Sequence, residues 1–232
     1  MGRFFGNIDL EQLWVPLGFI KLIEIVLVLV VYSSLHGWLF DVRVECSNTS
    51  VIHNEYAGFD LSHYGLKTCN GTEAYVFQES YGLSAALVSI LSIASLIYCL
   101  AMLFLYLYRW NMYTSDDNLP RMDTAGTIII ASLWFIMFWT WWRQSSALEY
   151  YTSPENVQAI NEAHKLCLKE NSCKFTSYAM YAPLTVSVLG CLGCVILFSY
   201  NIWITYKETV WFRQRQMNQV PHTIETEPHT LA

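Results

Sequence analysis

Four long apolar stretches divide the chain, at about 17–40, 81–108, 124–142 and 180–206. Each approaches or exceeds the ~20 residues that carry a helix across a ~30 Å hydrocarbon core. No water reaches that core, so a strand with an open edge would leave backbone groups unpaired there, whereas a helix satisfies its own. The stretches predict an all-α membrane protein built as a bundle of four transmembrane helices. The expected division is an amino-terminal segment 1–16, a four-span membrane domain 17–206 with connecting loops 41–80 and 143–179, and a short tail 207–232. Residues Met1–Gln12 are not followed by a short apolar core with a small-residue cleavage site, so span one reads as an uncleaved signal anchor.

Composition narrows the function. Of the 232 residues 54% are hydrophobic and only 14% charged, against ~25% in an ordinary soluble domain. The pieces between the spans leave no room for a soluble catalytic domain. The net charge of −6 comes from scattered acids, and nothing is basic enough to suggest nucleic acid. No nucleophile–base spacing or metal motif connects the loop histidines, serines and acids. The chain is therefore expected not to be an enzyme and to carry no cofactor or metal.

Side-chain chemistry orients the spans better than charge does. With both termini cytoplasmic, Lys and Arg number seven on that side and six on the other, a weak bias. Two acceptor sequons, Asn48-Thr49-Ser50 and Asn70-Gly71-Thr72, fall in the first loop and are of use only on a lumenal or extracellular side. Cysteines follow the same partition. Cys46 and Cys69 lie in loop one, Cys167 and Cys173 in the loop before span four, and Cys99, Cys191 and Cys194 inside spans. That fits an oxidising compartment on the loop side. Four cysteines allow three pairings, of which pairing within each loop is the simplest. Free thiols, or zinc ligands together with His53, His63 and His164, are the alternative, although no metal-ligand spacing is present. Aromatic rings close three spans: Tyr106, Tyr108 and Trp110; Trp139, Trp141 and Trp142; Trp203, Tyr206 and Trp211. Rings with one polar edge prefer the headgroup level.

Inside the spans, small residues mark where helices approach, since water drives no association in lipid. Span two carries Ala85, Ser89, Ser92 and Cys99 on one side. Span four carries Ser187, Gly190, Cys191, Gly193 and Cys194. These are read as packing seams, within one chain or between chains. Lys21 and Glu24, three apart in span one, are read as an intramembrane ion pair. They can mark an ion or proton path, or pair locally while Lys21 snorkels to the headgroups. Asp123 and Arg143 are expected to sit at the boundaries of span three.

The order of several short segments resembles a known family. Pro16-Leu17-Gly18-Phe19-Ile20-Lys21 opens span one, and Val44-Glu45-Cys46-Ser47-Asn48 follows it. Pro120-Arg121-Met122-Asp123 leads into span three, Ser153-Pro154-Glu155-Asn156 comes after it, and Tyr206-Lys207-Glu208-Thr209-Val210-Trp211 ends span four. The series, over roughly residues 14–212, is similar to the synaptophysin family of four-span vesicle proteins with the MARVEL fold. The resemblance implies cytoplasmic termini and lumenal loops each closed by its own disulfide, Cys46–Cys69 and Cys167–Cys173. It also implies residence in small secretory or synaptic vesicles, a role in organising their membrane and in exocytosis, cholesterol-rich lipid, homo-oligomers, and a synaptobrevin-type partner. The tail lacks the repeated Tyr and Gly of the synaptic-type members, which points to a divergent, short-tailed member, and Glu24 adds a charge where an uncharged residue is expected. Other uses of such a bundle are a junctional, membrane-apposition protein or a channel or transporter subunit.

Overall fold

The computed structural model describes residues 13–46, 51–69, 71–115, 118–164 and 173–208. Four long helices dominate: α1 (Pro16–His36), α2 (Gly82–Tyr108), α4 (Asn118–Thr152) and α6 (Tyr181–Glu208). All four are long and apolar enough to cross a membrane. Two short helices, α3 (Trp110–Ser115) and α5 (Pro154–His164), extend the bundle at its two ends.

The same periodicity makes each long helix pack. Residues spaced alternately three and four apart return to one face of a 3.6-residue turn. On α1 that stripe is Leu17, Lys21, Glu24, Val28, Val31 and Leu35; on α2 it includes Ala85, Val88, Ser92, Ser95, Cys99 and Tyr106. On α4 it runs Thr124, Thr127, Ala131, Trp134, Trp141, Ser145, Leu148 and Thr152, and on α6 Leu184, Ser187, Cys191, Cys194, Phe198, Asn201 and Thr205. Every one of these side chains is buried. The outward faces carry large apolar residues such as Val26, Ile97, Ile129 and Ile196, which is what lipid requires. α1 packs against α2 and α6, and α4 against the same two, giving a four-cornered bundle.

Small residues set the closest approach, and it lies within the chain. A Cβ at Gly190 would stand 2.6 Å from Val31 Cγ2, and one at Gly193 2.8 Å from Leu27 Cδ2, so α6 reaches α1 only because both are glycine. Of the α2 seam, Ala85, Ser92 and Cys99 are buried, whereas Ser89 is partly exposed beside the groove over His36 and Phe59.

Both connecting loops lie at one end of the bundle, where the expectation of an all-α protein needs correction. Strands β1 (Phe40–Cys46), β2 (Val51–Tyr56) and β5 (Cys173–Ala179) form an antiparallel sheet in the order β2-β1-β5. A two-stranded ribbon, β3 (Gly65–Lys67) with β4 (Glu73–Tyr75), and a 3₁₀ turn at Leu61–His63 complete the cap. Strands are admissible here because they lie beyond the apolar spans, where water meets their edges. β1 places Phe40, Val42 and Val44 inward and Arg43 and Glu45 outward, with Asp41 on the outward register buried as well. The sheet also joins the two loops, since β1 pairs with β5 from Phe40↔Ala179 to Cys46↔Cys173.

Span three is expected to end at Trp142 with Arg143 at its boundary, and the helix that carries it runs further. Helix α4 continues unbroken to Thr152, because Ser145, Leu148 and Thr152 extend its buried stripe. At 1.5 Å per residue its 35 residues reach about 52 Å, well beyond a ~30 Å core. Arg143 is an exposed residue within the helix.

Candidate functional site

The termini end of the bundle holds two carboxylates and one ammonium that no solvent reaches. At 1.5 Å per residue the groups lie about 8–12 Å in from the helix ends. Lys21 and Glu24 are both 0% exposed, with Lys21 Nζ 3.1 Å from Glu24 Oε2. The expected alternative, in which Lys21 snorkels outward, is overturned: both residues occupy the packed stripe of α1 and are closed off by its neighbours. Glu24 is held from two other helices. Asn201 Nδ2 of α6 donates to Oε1 at 2.9 Å, and the Cys99 thiol of α2 donates to Oε2 at 3.4 Å. Lys21 Nζ also lies over the Tyr98 ring at 4.6 Å from its centroid and near the Phe198 ring at 5.9 Å. Ring faces attract a desolvated ammonium, so the cation is held by a carboxylate and by aromatic faces together.

Tyr98 links this pair to a second centre. Its hydroxyl donates to Asp123 Oδ1 at 2.5 Å, with Thr127 Oγ1 2.8 Å away. The other carboxylate oxygen, Oδ2, accepts from the Tyr106 hydroxyl and from the Tyr113 hydroxyl at 3.1 Å. Three phenols from α2 and α3 thus converge on one acid of α4. Asp123, expected at the boundary of span three, is only 2% exposed and sits inside this ring of donors. Gly126 permits the approach, since a Cβ there would meet Tyr98 Cε2 at 3.1 Å. Tyr106, expected in an interfacial belt, is likewise a core residue. So is Trp141, whose Nε1–H donates to Ser187 Oγ at 2.8 Å; Trp134 does the same to Ser95 Oγ at 3.0 Å. Trp139, Trp142 and Trp203 remain outward-facing, and Trp211 lies outside the described residues.

The other half of the bundle is different. Among the described residues, Lys21, Glu24 and Asp123 are the only charged side chains buried in the four long helices. Toward the loop end the interior is filled by Val28, Val31, Leu35, Val88, Leu91, Leu184 and the indoles of Trp134 and Trp141. The polar centres therefore stop part-way through the bundle. Cys191 and Cys194 are buried free thiols in the same interior.

The cap is stapled in three ways. Cys46 and Cys69 form a disulfide with Cα atoms 5.8 Å apart, joining the end of β1 to the turn after β3. This is the pairing expected within loop one. Of the second expected pair, Cys167 and the side chain of Cys173 lie outside the described residues, as do both sequon asparagines, Asn48 and Asn70. Asn54 is the second staple: its amide donates to Val42 O at 3.1 Å and accepts from Lys67 N–H at 2.9 Å, tying β1, β2 and β3 together. The third is a stack of rings beneath the sheet. Trp38 stacks on Phe59 at 5.2 Å, and Phe59 meets Trp141 edge-on at 5.5 Å, so the cap and the bundle share one core. Burial, with the Asp41 charge adding to it, pushes the Tyr64 phenol well above its ordinary range. Tyr64 donates instead to Asn54 O at 2.6 Å. Outside the core, Asp60 is held below the usual carboxylate range by the Ser62 and Ser80 hydroxyls and by His63.

Among the described residues no group of three or more His, Cys, Asp or Glu side chains is placed to hold a metal ion. No family model matches the chain.

Proposed function

We propose that the chain is a non-enzymatic organiser of vesicle membrane, of the synaptophysin type, with cytoplasmic termini and lumenal loops. It acts laterally, through its lipid-facing helix surfaces, on cholesterol-rich lipid, on copies of itself and on a synaptobrevin-type partner. The segments quoted above supply the resemblance. The observation that carries the reading is the one-sided placement of charge. Lys21, Glu24 and Asp123 are closed in by their partners in one half of the bundle, and among the described residues the long helices bury no charged side chain in the other. An arrangement of that kind clamps four helices together and leaves their outer faces free for neighbours. Its test is location: a carboxyl-terminal tag followed by immunogold microscopy and fractionation against synaptobrevin. Label on small vesicles with synaptobrevin is the expected result. Label at cell contacts would favour the junctional use instead.

One observation favours a second reading, a channel or transporter subunit. Asp123 adds a second buried acid to the Lys21–Glu24 pair, and Tyr98 bridges them. That reading requires a conductance in reconstituted membranes that Glu24→Gln abolishes.

A further inference from the structure

The outer side of the α1–α6 seam carries an open trough at the termini end of the bundle. Phe19, Ile20 and Ile23 of α1 form one wall, Leu197, Tyr200 and Ile204 of α6 the other, and Trp14 stands at the mouth. The trough encloses about 480 Å³ and its lining is largely apolar. Trp14 is 86% exposed there, so the mouth ends in an indole that no described residue covers.

Two features say what fits. The first is length. From Leu197 to Lys207 the α6 wall rises about 15 Å at 1.5 Å per residue. That equals half of a ~30 Å hydrocarbon core, the depth of one leaflet. The second is charge at the mouth. Leu197, Tyr200, Ile204 and Lys207 follow one another at helical spacing on one face of α6, so the apolar stripe ends in a cation. Lys207 is exposed and its Nζ lies over the Trp203 ring at 5.1 Å, which holds the ammonium at the level of the interfacial rings.

We propose that this trough is a binding site for a phospholipid with an anionic headgroup, its acyl chain lying along Ile20, Ile23 and Leu197 and its headgroup at Lys207 and Trp14. The proposal rests on the four-span reading of the chain and not on the vesicle-organiser reading, so the two fail separately. A neutral sterol would use the trough without using Lys207, and a zwitterionic lipid would offset the ammonium with one of its own. The site also backs directly onto the polar core. Ile20 and Ile23 are the chain neighbours of Lys21 and Glu24, and Tyr200 of Asn201, so an occupying chain presses on the seam that buries them.

The test uses the full chain reconstituted in phosphatidylcholine vesicles containing a phospholipid with a photoactivatable acyl chain and either a serine or a choline headgroup. Labelled residues are mapped by peptide mass spectrometry. The expected result is labelling at Phe19, Ile23 and Tyr200, stronger for the serine lipid. Lys207→Gln should lower that preference about fivefold, the factor that about 1 kcal/mol per surface cation gives. Lys207 is exposed at a helix end, so this variant keeps the fold. Leu197→Trp should fill the trough and remove the label from α1. Labelling on the outward face of α2, at Ile97, should ignore the headgroup and serve as the reference. Equal labelling by the two lipids, or a preference that Lys207→Gln leaves unchanged, would overturn the proposal. So would displacement of the serine lipid by equimolar cholesterol in wild type and Lys207→Gln alike.

Discussion

Two ion pairs in this molecule have the same chemistry and almost the same separation, and they do opposite amounts of structural work. Lys21 and Glu24 stand 3.1 Å apart with both side chains fully buried. Asp41 and Arg43 stand 2.9 Å apart in the cap sheet; Arg43 is 51% exposed, whereas Asp41 is buried and has His53 as a second neighbour at 3.5 Å. Water reaches the Arg43 end of the second pair and competes for its hydrogen bond, and His53 still faces Asp41 when Arg43 is lost, so the net value of the Arg43 contact is about 0–1 kcal/mol. No water reaches the first. Its members lost their hydration on burial, and only the other partners, Asn201, Cys99 and Tyr98, make the position tolerable. The cap gets its order from a cystine, a sheet and stacked rings; the termini end of the bundle gets it from charge. Losing half of a polar centre is therefore costly in the bundle and cheap on the cap.

The contrast is broken most sharply at Asp123. Asp123→Ala removes the carboxylate on which three phenols converge and should cost roughly 3–9 kcal/mol, at about 1–3 kcal/mol for each buried hydrogen bond lost. Reversible unfolding of purified protein in mixed micelles measures it, and Asp123→Asn, which keeps an acceptor oxygen, should lose less. If Asp123→Ala unfolds like wild type, the ring of tyrosines is not holding the bundle.

The cap offers the next test. Cys46→Ser opens a cystine of sequence separation 23, worth about 3 kcal/mol on the model-dependent chain-entropy argument. It should loosen the sheet and slow exit from the endoplasmic reticulum. Normal glycan maturation and delivery would show that the sheet and rings hold the cap without it. Arg43→Ala should change stability by less than about 1 kcal/mol, and a loss several times larger would erase the distinction between the two pairs. The smallest effect is expected from Asp60. Its carboxyl is held down in the folded cap, so its contribution is present above the ordinary value of ~3.9 and is lost only as pH falls through the lower folded value. Stability measured from about pH 7 to about pH 5 should carry no slope from this group, so Asp60→Asn should lower the curve slightly without changing its slope in that window.

Much of the bundle is written in its periodicity. The four spans, the Gly190 and Gly193 approach and the Lys21–Glu24 pair all follow from apolar runs and from small or charged residues at helical spacing. The remaining site residues carry the same signal further along. One more heptad beyond Cys99 on the α2 stripe reaches Tyr106, and one more beyond Cys194 on the α6 stripe reaches Asn201. Reading tyrosines near a helix end as an interfacial belt hides this, because composition does not say which way a ring turns. Asp123 is harder to see. It lies one residue off the Thr124–Thr127 stripe, and only the fold brings Tyr98, Tyr106 and Tyr113 to it. The sheet was hidden for a similar reason. β1 has a readable alternation, but β5 is a short strand 127 residues after β1 ends, and pairing over that distance has no local signature. The length of α4 was missed because its last turns are polar on the outside, which lowers hydropathy while Leu148 and Thr152 keep the buried face intact.

The central claim is that the buried charges clamp the helices and do not conduct. A double-mutant cycle at the first pair tests it directly, by unfolding Lys21→Met, Glu24→Met and the double variant under one condition. Each single change should cost about 3–5 kcal/mol, because it leaves the other charge buried alone, and the double change should recover most of that loss. Single variants as stable as wild type, with an ion conductance in proteoliposomes that they abolish, would contradict it.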